Sequence, residues 1–159
     1  MITIRKFKQE DEIDVLAILL EEEQVKFTAS PENFVSDTEA NIVRFVISKG
    51  DTLVGYFKID NDFHSEVLGK NNTGVGLRSF AIDRRYQGKG IGKKTVSILA
   101  SSISEEFKTF TWVYLTVNCK NEVAYQTYMK GGFEDTGELY LGGPVGPQHI
   151  MRAKLHKES

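Results

Sequence analysis

The sequence predicts an α/β (α+β) domain, a mixed sheet with helices on its faces, on two main grounds. Apolar runs with a period of two are interleaved with runs at helical spacing along the whole chain. The 159 residues suit one domain, residues 1–159, and a content of 40% hydrophobic and 11% aromatic residues is enough to build its core. In order, the runs read strand, helix, hairpin, strand, helix, strand, helix, strand, strand, with no repeat and no low-complexity tract.

TIRKF, residues 3–7, alternates weakly and predicts a short strand. DEIDVLAILLEEE then places Ile13, Leu16, Ala17 and Leu20 at helical spacing, an amphipathic helix with an acidic end. Residues 30–41 are polar and carry no assignment. VRFVIS and TLVGYFKI flank the turn KGD and predict a hairpin over residues 43–59. Residues 61–73, rich in Asn, Asp and Gly, predict a loop before the strand GVGLRSFAID, residues 74–83. A glycine-rich loop then opens a helix with Ile91, Val96, Leu99, Ile103 and Phe107 on one face. TWVYLTV is a strand with Val113, Leu115 and Val117 on one side. NEVAYQTYMKGGF predicts a helix capped by Asn121 and stopped by Gly131 and Gly132. FEDTGELY and HIMRAKL complete the chain as two strands around a Gly/Pro-rich link.

Composition narrows the function classes. No apolar run is long enough to span a bilayer, and the first twenty residues carry charges throughout, so neither a membrane partner nor export is expected. One cysteine, Cys119, makes no internal disulfide and is too few for a zinc site. The expectation is a cytoplasmic protein with no metal. The net charge of −2 hides a split: residues 1–70 carry 8 Lys and Arg against 14 Asp and Glu, whereas residues 71–159 carry 12 against 8. Such a split suits a rear half that meets an anion and a front half that meets a cation, although solvated surface charge produces the same pattern. No extended basic and aromatic stripe is present, so nucleic acid is not an expected partner.

The densest functional signal is RRYQGKGIGKK, residues 84–94, between a predicted strand and a predicted helix. A helix N-terminus offers unpaired backbone N–H groups and a partial positive charge, and Gly88, Gly90 and Gly92 let the backbone turn those groups inward. Lys89, Lys93 and Lys94 add charge. The Walker pattern fails because Lys94, not Ser or Thr, follows Gly92 and Lys93, and the dinucleotide fingerprint fails because position 93 is lysine.

Gln87, Gly88, Gly90 and Gly92 do fit Q/R-x-x-G-x-G/A. Downstream, Leu115, Val117, Asn121, Ala124, Tyr128, Gly132 and Phe133 fit a second pattern in LTVNCKNEVAYQTYMKGGF. In both, over almost its whole length, the chain resembles the Gcn5-related N-acetyltransferase (GNAT) superfamily, and within it bacterial small-molecule acetyltransferases of the diamine and spermidine type. The resemblance implies a mostly antiparallel sheet of about six to seven strands, two of which splay apart to admit acetyl-CoA. The splayed pair here would be LRSFAI and WVYLTV. It further implies that the loop of Gln87, Gly88, Lys89, Gly90, Ile91, Gly92 and Lys93 wraps the cofactor diphosphate, that Phe80, Ala81 and Ile82 pair with the pantetheine arm, and that Asn121 contacts the cofactor. Tyr128 is the implied catalytic proton donor to the departing thiolate.

An amine with a pKa near 10.4 is only about 1 part in 2,500 neutral at pH 7, so acetyl transfer needs a base, a water wire or a desolvating pocket. The tetrahedral intermediate needs a donor, which a backbone N–H freed by a strand bulge supplies. Many members of the resembled family use a Glu on the strand before the loop, but the equivalent here is Gly76. Substitutes are Glu21, Glu22, Glu23, Asp60, Asp62, His64 and Glu66, each of which also reads as solvated surface. The expected reaction is acetyl transfer to a primary amine of a small cationic molecule such as a polyamine. The alternatives are a protein N-terminal or lysine acetyltransferase and a non-catalytic acetyl-CoA sensor. The resemblance also admits a homodimer.

Overall fold

The computed structural model describes residues 1–25, 28–63 and 73–156. The strands are β1 (Ile2–Lys6), β2 (Ile42–Lys49), β3 (Thr52–Asp60), β4 (Gly74–Ile82), β5 (Trp112–Asn118), β6 (Glu134–Tyr140) and β7 (Gln148–Lys154). They form one seven-stranded sheet in the order β1-β2-β3-β4-β5-β7-β6. Every neighbouring pair is antiparallel except β4 and β5, which run parallel. A parallel pair needs a crossover, and helix α4 (Ile91–Ile103) provides it. The remaining helices are α1 (Glu12–Leu16), α2 (Glu22–Val25), α3 (Pro31–Ser36) and α5 (Glu122–Lys130). This is the mixed, mostly antiparallel sheet flanked by helices that the sequence predicts.

Side-chain alternation sorts the strands between two faces. Phe45, Phe57, Ile59 and Leu77 pack under α4 with Val96 and Leu99, while Val46, Tyr56 and Ala81 face Val15, Ile18 and Phe34 on the other side. In β4, Leu77 and Ile82 are five residues apart yet share the α4 face, which strict alternation forbids. The register explains it: Tyr56 opposes Ala81 and Lys58 opposes Arg78, so Ser79 and Phe80 together stand opposite Phe57. This bulge, with Ser79 at φ 60°, inserts one residue and resets the phase of the strand.

The first helix departs from expectation. Ile13 is 81% exposed and Leu16 is 42% exposed, whereas Val15 and Ile18 are buried, and α1 ends at Leu16 instead of running on to residue 23. Tertiary hydrogen bonds win over helical ones: the Leu19 N–H donates to Asp83 Oδ2 at 3.3 Å, and the Arg84 N–H donates to the Leu19 carbonyl at 2.7 Å. Residues 30–41, unassigned from sequence, contain α3. Ser30 caps it by accepting from the Asn33 N–H at 3.1 Å, and Pro31 occupies the first turn where its missing N–H costs nothing.

Position 76 has no room for a side chain. A Cβ at position 76 would overlap Cδ1 of Phe63 and lie 2.5 Å from its Cβ, so the buried Phe63 occupies the space a side chain would need. Gly76→Ala is expected to destabilise the fold by about 1–3 kcal/mol, the usual range for overpacking. Thermal unfolding of Gly76→Ala, Phe63→Ala and the double variant checks this: the double variant should be more stable than the sum of the two single losses predicts.

Candidate active site

The parallel pair opens the site. β4 and β5 are in register only at Gly74 with Trp112, Val75 with Val113 and Gly76 with Tyr114. Beyond them β5 stays paired with β7 along its whole length, while β4 stays paired with β3. The C-terminal halves of the two strands therefore part, and the bulge at Ser79 and Phe80 sits on the β4 side of the gap with no Cα partner in either neighbouring strand. Phe80, Ala81 and Ile82 form the end of β4 on that side, with Ala81 and Ile82 buried.

The loop after β4 leads into α4. Gly88 at φ 76° and Gly90 at φ 75° take left-handed conformations, and Gly90 is the N-cap of α4. Gly92 differs from expectation: its φ is ordinary, it lies in the first turn of α4, and a Cβ there would meet only Thr127 Cγ2 at 3.7 Å. Lys89 lies over the Tyr86 ring, with Nζ 5.6 Å from its centroid. Ile91 is buried in the core, and Lys93 projects from the same turn as Gly92. The Gln87 side chain is occupied inward, its Nε2 donating to the Ile82 carbonyl at 2.9 Å and to Gln24 Oε1 at 2.7 Å.

Asp83, 1% exposed, holds the corner between strand and loop. Its carboxylate accepts from Arg85 through Nε at 3.0 Å and Nη2 at 2.6 Å, from the Arg85 N–H at 2.9 Å and from the Leu19 N–H at 3.3 Å. Burial pushes the Asp83 carboxyl up, but these donors outweigh it and hold it below the usual carboxylate range.

On the α1 to α3 side of the sheet, next to the bulge, lies a polar cavity of about 260 Å³ lined by Asp37, Glu39, Asp60, Lys58, Arg78 and Ser79, among others. Lys58 Nζ is 2.7 Å from Asp37 Oδ2, and Arg78 Nε is 3.0 Å from Asp60 Oδ2. Asp60 also accepts from Asn41 Nδ2 and from the Asp62 N–H, both at 2.8 Å. Among the described residues, three carboxylates against two cations leave an excess of one negative charge. Of the candidate bases, Asp60 is 5% exposed rather than solvated, and it stands directly opposite Gly76. Glu21, Glu22, Glu23 and Asp62 are exposed. His64 and Glu66 lie outside the described residues.

Tyr128, on α5, packs edge-on against Phe80 with centroids 6.0 Å apart and against Phe133 at 5.8 Å. Burial raises its hydroxyl far above the ordinary tyrosine value, so it stays protonated at neutral pH. Asn121 caps α5, its Oδ1 accepting from the Ala124 N–H at 3.3 Å. Tyr125 packs partly buried against the core, its hydroxyl donates to Asp135 Oδ2 at 2.9 Å, and its ring lies 4.5 Å from that of His149. Sequence reading did not single out Ser79, Arg78, Asp37, Glu39 or Gln24. The phase slip between Leu77 and Ile82 is the one signal that marks the bulge in advance.

A splayed parallel pair, a glycine loop at a helix N-terminus and a bulge facing a partly buried tyrosine together define the class of transferases that take an acyl group from coenzyme A. The chain belongs to the acetyltransferase (GNAT) family, whose model matches residues 10–133, and it is an acetyl-CoA-dependent N-acetyltransferase. It is 29% identical over 153 residues to the uncharacterized N-acetyltransferase YbbJ of Bacillus subtilis (strain 168), covering 94% of this chain and 95% of that protein. It is 40% identical over 72 residues to the spermine/spermidine N(1)-acetyltransferase of the same organism, covering 45% of this chain and 47% of that one. Among solved structures, the aminoglycoside acetyltransferase AAC(6')-Ib in complex with coenzyme A superposes with a TM-score of 0.74 at 18% identity. The match covers 97% of this chain and 95% of that one, and it shows the shared fold. Among the described residues, no helix is long and apolar enough to cross a membrane.

The low pKa of Asp83 makes a signed prediction. Its contribution is present above the unfolded carboxyl pKa of about 3.9 and is lost as the pH falls through the lower folded value. Asp83→Asn should lower stability at pH 7 by about 1–3 kcal/mol, as expected for a buried charge-assisted hydrogen-bond set. The gap between variant and wild type should narrow below about pH 4. Melting temperatures at pH 7, 5 and 3 check it.

Proposed function

We propose that the protein transfers the acetyl group of acetyl-CoA directly to a primary amine of a small cationic molecule, with a polyamine as the leading acceptor. The observation that carries this reading is the acidic cavity beside the β4 bulge. A pocket with excess negative charge attracts an ammonium-bearing acceptor, and its position brings the amine next to the gap between β4 and β5. The partial identity to a spermine/spermidine acetyltransferase points the same way.

In this reading the backbone N–H groups from Gln87 to Lys93 hold the diphosphate at the N-terminus of α4, with Lys89 and Lys93 adding charge. Phe80, Ala81 and Ile82 lie along the pantetheine arm, and Asn121 contacts the cofactor from the start of α5. Both oxygens of Asp60 are already engaged, so it acts as a fixed negative charge for the acceptor while the ammonium proton leaves through water. The neutral amine attacks the thioester carbonyl carbon. The bulge amide at Ser79 and Phe80 donates to the oxyanion. As the tetrahedral intermediate collapses, the carbon–sulfur bond breaks, Tyr128 gives its proton to the thiolate, and the remaining extra proton on the attacking nitrogen passes through water to restore the Tyr128 hydroxyl, leaving amide and thiol.

Acetyl-CoA-dependent thiol release against spermidine, an aminoglycoside, an amino acid and a short peptide tests the acceptor class. Spermidine should turn over fastest, and turnover restricted to an uncharged amine or the peptide overturns the cationic reading. Tyr128→Phe should lower kcat about 100-fold, within the range for loss of a general acid. Asp60→Asn should raise KM for spermidine about tenfold, which corresponds to about 1.4 kcal/mol, and leave KM for acetyl-CoA nearly unchanged. Because burial raises the Tyr128 hydroxyl, kcat should show no alkaline decline below about pH 10. A decline centred near pH 8 or 9 argues for a different donor.

A further inference from the structure

Residues 17–25 connect α1 to α2 and then run on toward α3, over the same sheet face as the acidic cavity. Ile18 packs there with Tyr56 and Ala81, and Lys58 and Asp60 follow Tyr56 on that face at a period of two. Apolar burial of this segment is limited: Leu19 is 41% and Val25 58% exposed, and the buried Ile18 and the partly buried Leu20 are its apolar anchors. Hydrogen bonds to the β4 corner hold it as well. The Leu19 N–H donates to Asp83, the Arg84 N–H to the Leu19 carbonyl, and Arg85 Nη2 to the Ala17 carbonyl at 3.4 Å.

Gln24 closes the arrangement. Its Nε2 donates to the Ile82 carbonyl at 3.1 Å, while its Oε1 accepts from Gln87 Nε2 at 2.7 Å and from the Glu21 N–H at 2.8 Å. Gln87 Nε2 donates to the same Ile82 carbonyl. Two side-chain amides thus meet on one backbone oxygen at the end of β4. One comes from the acceptor side and the other from the first residue of the loop. Neither belongs to the proton transfer or to the acidic cavity, so the chemistry above leaves Gln24 without a role.

We propose that Gln24 is a positioning residue that couples the cofactor loop to residues 17–25, so that filling the loop orders this segment and strengthens amine binding. The proposal rests on the assignment of residues 87–93 to the cofactor diphosphate. Gly88 and Gly90, at positive φ, give the empty loop many accessible conformations. A diphosphate pinned to the loop amides narrows them, fixes the origin of the Gln87 side chain and removes part of the entropy cost of its bond to Gln24. By linkage the effect is reciprocal: a docked segment favours the cofactor by the same factor.

Hydrogen exchange of the full-length protein, with and without coenzyme A, tests this with no need to know the acceptor. In the wild type, coenzyme A should slow exchange in residues 87–93 and also, by about fivefold or more, at the amides of Leu19, Gln24 and Val25. In Gln24→Ala, protection of 87–93 should persist while the response of 17–25 is lost. Gln24→Glu, which keeps an oxygen for Gln87 but cannot donate to Ile82, should recover part of it, and it serves as the test if the alanine variant does not fold. Protection of 87–93 without any response in 17–25 of the wild type overturns the coupling, as does an undiminished response in Gln24→Ala. Failure of coenzyme A to protect 87–93 overturns the loop assignment itself, and the proposal with it.

Discussion

One inserted residue in β4 organises most of what is described above. The Ser79 and Phe80 bulge lets Leu77 and Ile82 share the α4 face across an odd spacing, so the core is continuous on both sides of the irregularity. The same insertion takes two backbone positions out of the ladder where β4 leaves β5. It also divides the labour of neighbouring side chains, since Ser79 borders the acidic cavity while Phe80 meets Tyr128. A regular strand at this place would close the gap, hide the amides and set the acceptor side out of phase with the cofactor side.

The sequence made the sheet and the glycine loop after β4 legible because both rest on local rules. β-branched runs, a glycine-containing hairpin turn and an Asn cap are each decided within a few residues. The loop was legible for the same reason, since Gly88 and Gly90 need positive φ and supply it locally. The front of the chain resisted reading because its structure is decided from afar. The Ile13, Leu16, Ala17 and Leu20 pattern promises one helix, yet Asp83 and Arg84, more than sixty residues away in sequence, capture Leu19 and end it early. The acidic cavity is likewise assembled from residues before β2, on β3 and on β4, and no window of sequence contains them together.

Charge follows the same division. The acidic excess of the first seventy residues is not spread evenly: Asp37, Glu39 and Asp60 converge on one cavity, and Lys58 and Arg78 offset only part of it. Three of the eight lysines of the rear half, Lys89, Lys93 and Lys94, stand at the N-terminus of α4, where the helix dipole has the same sign. Opposite potentials therefore flank the gap between β4 and β5, a field suited to holding an anionic cofactor and a cationic acceptor on either side of the bond that is to be made.

The seating of Phe63 against Gly76 bears on which sequences this fold can reach. Placing a carboxylate at position 76 requires the aromatic ring to leave first, and removing the ring alone opens a hole in a buried region. Each change is costly without the other, so a walk by single substitutions meets a valley in either direction. Two sequences, one with a carboxylate at position 76 and this one with Phe63 in that space, are thus separated by epistasis even though they share a backbone.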